Sequence, residues 1–179
     1  MAGIRLIHSF RTEILLLLLS LFIVSAAKAQ GFPENPPIPV KVEVRNTRFL
    51  NFGSFTTGVS GGTVTVDQHG MRSATGDVFL LNLGSPSISA LFDVTANPGT
   101  LISITIPSNF KLQGDGGNGG EIELEINSNL ISPGQYFIST AIPPMTNEVE
   151  VGGTLHIGNE AQNPAGYYSG SFSLIFNYE

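Results

Sequence analysis

Cysteine and tryptophan are absent from this chain of 179 residues, which has only 3 histidines and only 8 lysines and arginines. Each shortage excludes something. Without cysteine there is no disulfide framework and no lipid-anchored thiol behind a leader, so stability must come from a core and from sheet hydrogen bonds. The charged fraction, 12%, is about half the ~25% of an ordinary soluble domain. The surface must therefore be built from Ser, Thr, Asn, Gln and Gly. No stretch shows a sustained apolar stripe at helical spacing, which argues against an α-helical domain.

The longest apolar run, Ile14 to Ala27, stands behind Arg5 and Arg11 and ahead of Ala27-Lys28-Ala29. A basic start, an apolar stretch and a small-x-small site make a secretory signal over residues 1–29, cleaved before Gln30. The run has 14 residues, short of the ~20 needed to span a bilayer. Export to the periplasm, the cell surface or the medium of a bacterium follows, with no membrane association after cleavage. Residues 30–179 keep 5 basic and 13 acidic side chains, a formal net charge of −8. Nucleic acid and anionic membrane are excluded as partners, because both require a clustered basic face.

What the mature chain has in abundance is alternation. Ile122, Leu124 and Ile126 interleave with Glu121, Glu123 and Glu125; Ile102, Ile104 and Ile106 interleave with Ser103 and Thr105. Ile88 to Val94, Val64 to Val66 and Val149 to Ile157 behave alike, and Asp77 to Leu83 is apolar enough to suggest a central strand. Glycine, proline and asparagine clusters punctuate these runs, among them Gly61-Gly62, Asn97-Pro-Gly99 and Pro143-Pro144. Period-two strands with that punctuation predict one all-β domain, an antiparallel β-sandwich of immunoglobulin-like, pilin-like type. Residues 31–39, GFPENPPIP, hold four prolines and form an extended leader before it.

Catalytic chemistry is hard to assemble from these residues. His69 falls in a turn, VDQHGMRS, and His156 alternates with Leu155 and Ile157, so it should point away from the core. No nucleophile elbow, phosphate-binding loop or zinc helix is present. The expectation is a protein that is not an enzyme and needs no cofactor. Asp115, Asn118 and Glu121 in GDGGNGGE could offer oxygens to calcium, but a glycine-rich hairpin tip has the same composition. Glu121, Glu123 and Glu125 form an acidic strand face that calls for solvent or basic cross-strand neighbours.

The two ends of the mature chain carry the clearest signals. At the C-terminus Tyr168, Gly170, Phe172, Leu174, Phe176 and Tyr178 share one strand face, which must lie on a core; at a sheet edge this strand would invite another. Behind the leader, Ile38, Val40, Val42 and Val44 alternate with Pro39, Lys41, Glu43 and Arg45.

These features resemble chaperone-usher pilins, which end in an alternating apolar strand with an aromatic residue next to last and a glycine fourteenth from the end, here Tyr178 and Gly166. More widely the chain resembles an uncharacterised family of small secreted bacterial β-domains related to pilins. LNFGSF at 50–55, TVTVDQHGMRSATG at 63–76, VGGTLHIG at 151–158 and PAGYYSGSFSLIFNY at 164–178 carry that likeness. The pilin resemblance implies donor-strand complementation in a surface fibre, with copies of the chain or related subunits, and a periplasmic chaperone, as partners. Ile38, Val40, Val42 and Val44 would be the donor face. Gly166, Tyr168, Phe172, Leu174, Phe176 and Tyr178 would line the acceptor groove. The chain departs from many pilins in having no disulfide, and only Asn46-Thr47 separates the supposed donor from the next strand. A self-contained binding module, with that strand closed onto its own sheet, therefore stays open beside the fibre subunit.

Overall fold

A computed structural model describes residues 41–44, 48–115 and 119–178, the first four by their backbone alone. The signal segment, the proline-rich leader, Ile38, Val40, Asn118 and Glu179 lie outside the described residues.

Valine, isoleucine and phenylalanine at every second position give the described residues strands and one short 3₁₀ turn, Ser128–Leu130. Three sheets result, and every pairing in them is antiparallel. In the first, β1 (Lys41–Val44), β4 (Ala90–Thr95), β10 (Asn147–Val151) and β8 (Ile131–Ser132) lie in the order β1-β4-β10-β8. The second contains β12 (Tyr168–Ser169), β6 (Phe110–Gly114), β7 (Glu121–Glu125), β11 (Gly153–Ile157), β2 (Ser54–Val66) and β3 (Arg72–Leu81), in that order. The third has β13 (Ile175–Tyr178), β5 (Leu101–Thr105) and β9 (Tyr136–Ile138).

One hydrophobic core joins the sheets. Val94, Val149 and Val151 come to it from the first, Val64, Val66, Ile122 and Leu155 from the second, Ile102 and Ile104 from the third. Each such side chain contributes about 1.5–3 kcal/mol on leaving water. β7 shows the expected alternation, with Ile122 and Leu124 buried and the three glutamates exposed. This is the antiparallel β-sandwich that the alternation predicts. Asn147 ties the first sheet to the segment just after β9: its Nδ2 donates to Val94 O (3.2 Å) and to Ser139 Oγ (2.9 Å), while its Oδ1 accepts from Thr140 N at 3.0 Å. Those bonds let the buried Ser139 and the half-buried Asn147 sit inside without unmet polar atoms.

The β2–β3 hairpin departs from the expectation in two ways. Asp77 to Leu81 is in an edge strand, not a central one, with Phe79 exposed. The ribbon also doubles back on itself. Gly62 pairs with Ile157 and Val66 with Gly153, yet Thr57 reaches Gly158 O (3.2 Å). Ser54, three residues before Thr57, lies beside Arg72, the partner of Val66. The chain therefore runs toward Gly158, reverses through Gly58–Gly62, where the β2–β3 register shifts, and returns. Glycines allow it: a Cβ on Gly62 would collide with the Thr75 carbonyl. Arg72 holds the two layers together, donating to Phe52 O (3.0 Å), Ser54 O (2.9 Å) and Leu81 O (2.9 Å).

Candidate functional site: the edge of the last strand

The final segment, 168–178, runs antiparallel to 101–114 in two pieces. Tyr168 pairs with Gly114 and Ser169 with Gln113; Ile175 pairs with Thr105 and Tyr178 with Ile102. The register differs by two residues between the pieces, and the segment leaves the ladder at Gly170, where a Cβ would strike Lys111 O. The single strand expected from the sequence is thus two short ones with a break. The side chains nonetheless keep one face. Tyr168, Phe172, Leu174 and Phe176 are half-buried against the core, Gly166 is exposed, and Tyr178 stays 58% exposed. Phe92 on β4 packs edge-on to Phe172 at 6.0 Å and tilted to Phe176 at 5.9 Å, and Phe172 also meets Phe110 at 6.0 Å. Such aromatic contacts add ~0.5–1.5 kcal/mol each to simple burial.

The direction of the main-chain groups on β13 follows from its neighbours. Ile104 donates its N–H to Gln135 O, and Thr100 O accepts from Ser139 N, so even-numbered residues of β5 turn their polar groups toward β9. Odd-numbered ones turn toward β13. Ile175 and Asn177, opposite Thr105 and Ser103, are therefore the residues whose N–H and C=O bond inward. Leu174, Phe176 and Tyr178 turn theirs outward, where no further strand stands among the described residues. Leu174 and Phe176 pack their side chains on the core, Tyr178 has the same parity, and at all three the backbone faces an open edge.

The other edges are blunted in the ways edge strands usually are. β1 carries Lys41 and Glu43; β8 and β12 have two residues each; β9 has three and follows Pro133-Gly134; β3 carries Arg72 and Asp77 and folds over at Gly76. β13, with Leu174 before it, reads LIFNY and has neither a charge nor a proline.

Val42 and Val44 pair with Val94 and Phe92, so β1 is seated on β4 and not beside β13. β1 and β13 nevertheless border the same end of the core, because Phe92, opposite Val44, is the residue that touches Phe172 and Phe176.

Elsewhere the titratable groups pair locally. Glu121 is held by Lys111 and by Gln113 Nε2 (2.7 Å); these hydrogen bonds lower the carboxyl's pKa, and the Glu121 bond raises that of Lys111. His156 meets Glu125 at 2.8 Å, and that bond is the main cause holding the Glu125 carboxyl below its ordinary value. The acidic face thus finds solvent and basic cross-strand neighbours, as the alternation predicts. His69 lies at the β2–β3 turn, 3.8 Å from Glu150, whose other oxygen takes Arg48 at 2.8 Å. The two histidines face different carboxylates. Asp115 Oδ1 accepts from Tyr167 N at 3.1 Å and Glu121 is committed to β6; no metal-holding group of three occurs among the described residues.

Sequence reasoning found the apolar face of the last strand but missed Phe92, its aromatic partner; the run Ala90-Leu-Phe92 marks only a buried strand. It also missed Arg72, whose nearest signal is the glycine-rich GVSGG of the reversal.

No curated protein and no solved structure matches this chain. A family model does, over residues 42–178, from within β1 to the end of β13, so the chain belongs to the family described as a domain of unknown function, DUF4402.

Proposed function

We propose that this protein is an exported structural subunit, pilin-like in its assembly, that joins a surface fibre or envelope structure by accepting a β-strand along β13. The observation that carries this reading is the edge itself: Leu174, Phe176 and Tyr178 point main-chain groups outward above half-buried aromatic rings, with no charge to repel a guest. An added strand would gain a hydrogen-bond ladder and cover Phe172, Leu174 and Phe176 together. Main-chain bonds supply affinity and alternate side chains supply specificity in this mode of recognition.

The donor is another subunit's N-terminal segment. Ile38 and Val40 continue the alternation of Val42 and Val44 toward the leader, whereas Val42 and Val44 are already laddered to β4. Pro39 lies between Ile38 and Val40, so its missing N–H belongs to the opposite edge from theirs and leaves a one-sided ladder intact. A periplasmic chaperone would occupy the same edge before assembly. The seating of β1 on β4 favours a second reading, a self-contained accessory module that does not polymerise.

Deletion of residues 30–40 separates the two, because it spares β1. On unheated gels the parent chain should form a ladder of oligomers that collapses on boiling, and the deletion should stay folded and form no ladder. A parent chain that stays monomeric at every concentration would favour the module, and a deletion that ladders equally well would remove the N-terminal segment as the donor.

A further inference from the structure

The edge of β13 is complementary to itself. Its outward-facing residues are Leu174, Phe176 and Tyr178, an odd number with Phe176 in the middle. Placed antiparallel to a second copy of the same strand, with a two-fold axis through Phe176, Phe176 stands opposite Phe176 and Leu174 opposite Tyr178. Each of these pairs is of the hydrogen-bonded kind, in which both residues exchange N–H···O bonds. No outward group is left over.

Side chains agree with the main chain. Tyr178 has core-facing parity, opposite the buried Ile102, yet it is 58% exposed, and Leu174 and Phe176 are only half-buried. The two-fold pairing lays each Tyr178 ring over the Leu174 of the other copy and brings the Phe176 rings together. On the other face Ile175, 50% exposed, stands opposite Asn177. Charge selects the same occupant. The chain is acidic, at −6, but 174–178 carries no charge, so two copies meet there without opposing like-signed groups.

We infer that two copies of this chain join through their β13 edges into a closed two-fold dimer, a continuous sheet in the order β9-β5-β13-β13-β5-β9. Such an interface uses the same patch on both partners and ends with two copies. This inference rests on the reading of β13 as a strand acceptor, and it adds a regulatory consequence. The dimer occupies the edge that a donor strand needs, so it is a resting form that must open before a fibre grows.

Absence of cysteine makes the geometry directly testable. Ile175 and Asn177 are exposed, and in the two-fold register 175 faces 177 of the other copy but not 175. Ile175→Cys and Asn177→Cys are made separately in the full chain and oxidised alone or as a one-to-one mixture, with mass measured by light scattering. The expected result is a non-covalent dimer for each variant and covalent dimers at least five-fold more abundant in the mixture than in either variant alone. Monomers throughout, or cross-linking equal in all three samples, would overturn the inference. A synthetic peptide of residues 30–44 distinguishes the two levels. Peptide binding to an uncross-linkable monomer would remove the dimer and leave the strand-acceptor reading standing; no binding by a monomer would remove both.

Discussion

Arg72→Met is expected to lower the thermal midpoint by about 10 °C. The guanidinium donates to three carbonyls, of Phe52, Ser54 and Leu81, from the two layers of the doubled β2–β3 ribbon. Methionine keeps the length and the apolar stem but no donor. Hydrogen bonds from a charged group contribute roughly 1.5–3 kcal/mol each when measured by deletion, and three on one group are not additive. Partial hydration of the half-buried carbonyls reduces the sum further, which leaves a loss of about 3 kcal/mol, or ~10 °C for a domain of this size. Circular dichroism melts of the two proteins measure it. A shift below about 2 °C would mean that the ribbon is held folded by its glycines and not by the clip. Lysine at this position should recover only a minor part, since it cannot span three acceptors in a plane.

The second large effect concerns assembly and not stability. Phe176→Pro removes an N–H that points away from the molecule's own ladder, so no internal main-chain bond is lost. The substitution also removes the contact with Phe92, and Phe176→Val, which trims the ring but keeps the N–H, serves as its control. The valine variant should still self-associate, with weakened affinity. Proline should abolish association, by at least a hundred-fold in dissociation constant, at a similar melting temperature. Asn177→Pro should do the reverse, since that N–H bonds to β5: the fold should lose stability at its last strand. Sedimentation velocity across a concentration series reads the association of all three, and circular dichroism melts read their stability. Equal association by the valine and proline variants would show that the ring, and not the main chain, is what the partner holds.

Several parts of this fold are legible in the sequence alone. β5, β7, β10 and β11 have alternating residues whose burial follows the sequence letter by letter, because a half-buried strand in a single-core sandwich leaves no other choice of face. The outward placement of His156 and the solvated glutamates followed from the same rule. Strand neighbours were not legible, since alternation gives a face and says nothing about which edge is covered. That is why Asp77 to Leu83 could pass for a central strand: its apolar run reflects Val78 in the core and Phe79 in solvent, two faces that a hydrophobicity count adds together. The reversal in β2 was hidden for a similar reason. Gly61-Gly62 signals a turn, but the ribbon stays paired through it, and only the contacts of Thr57 and Arg72 reveal the fold-back. At the candidate site, the apolar face of 168–178 was visible in the sequence. Its division into β12 and β13, and the outward turn of its main chain, depend on β5 and β6 and had no local signal.

Main-chain pairing at β13 is the claim on which the function rests, and amide hydrogen exchange resolved by residue measures it most directly. In dissociated monomer the amides of Ile175 and Asn177 should be protected and those of Leu174, Phe176 and Tyr178 should exchange freely; on assembly all five should become protected. Protection of Leu174, Phe176 and Tyr178 in the lone molecule, or their continued free exchange in assembled material, would contradict the account.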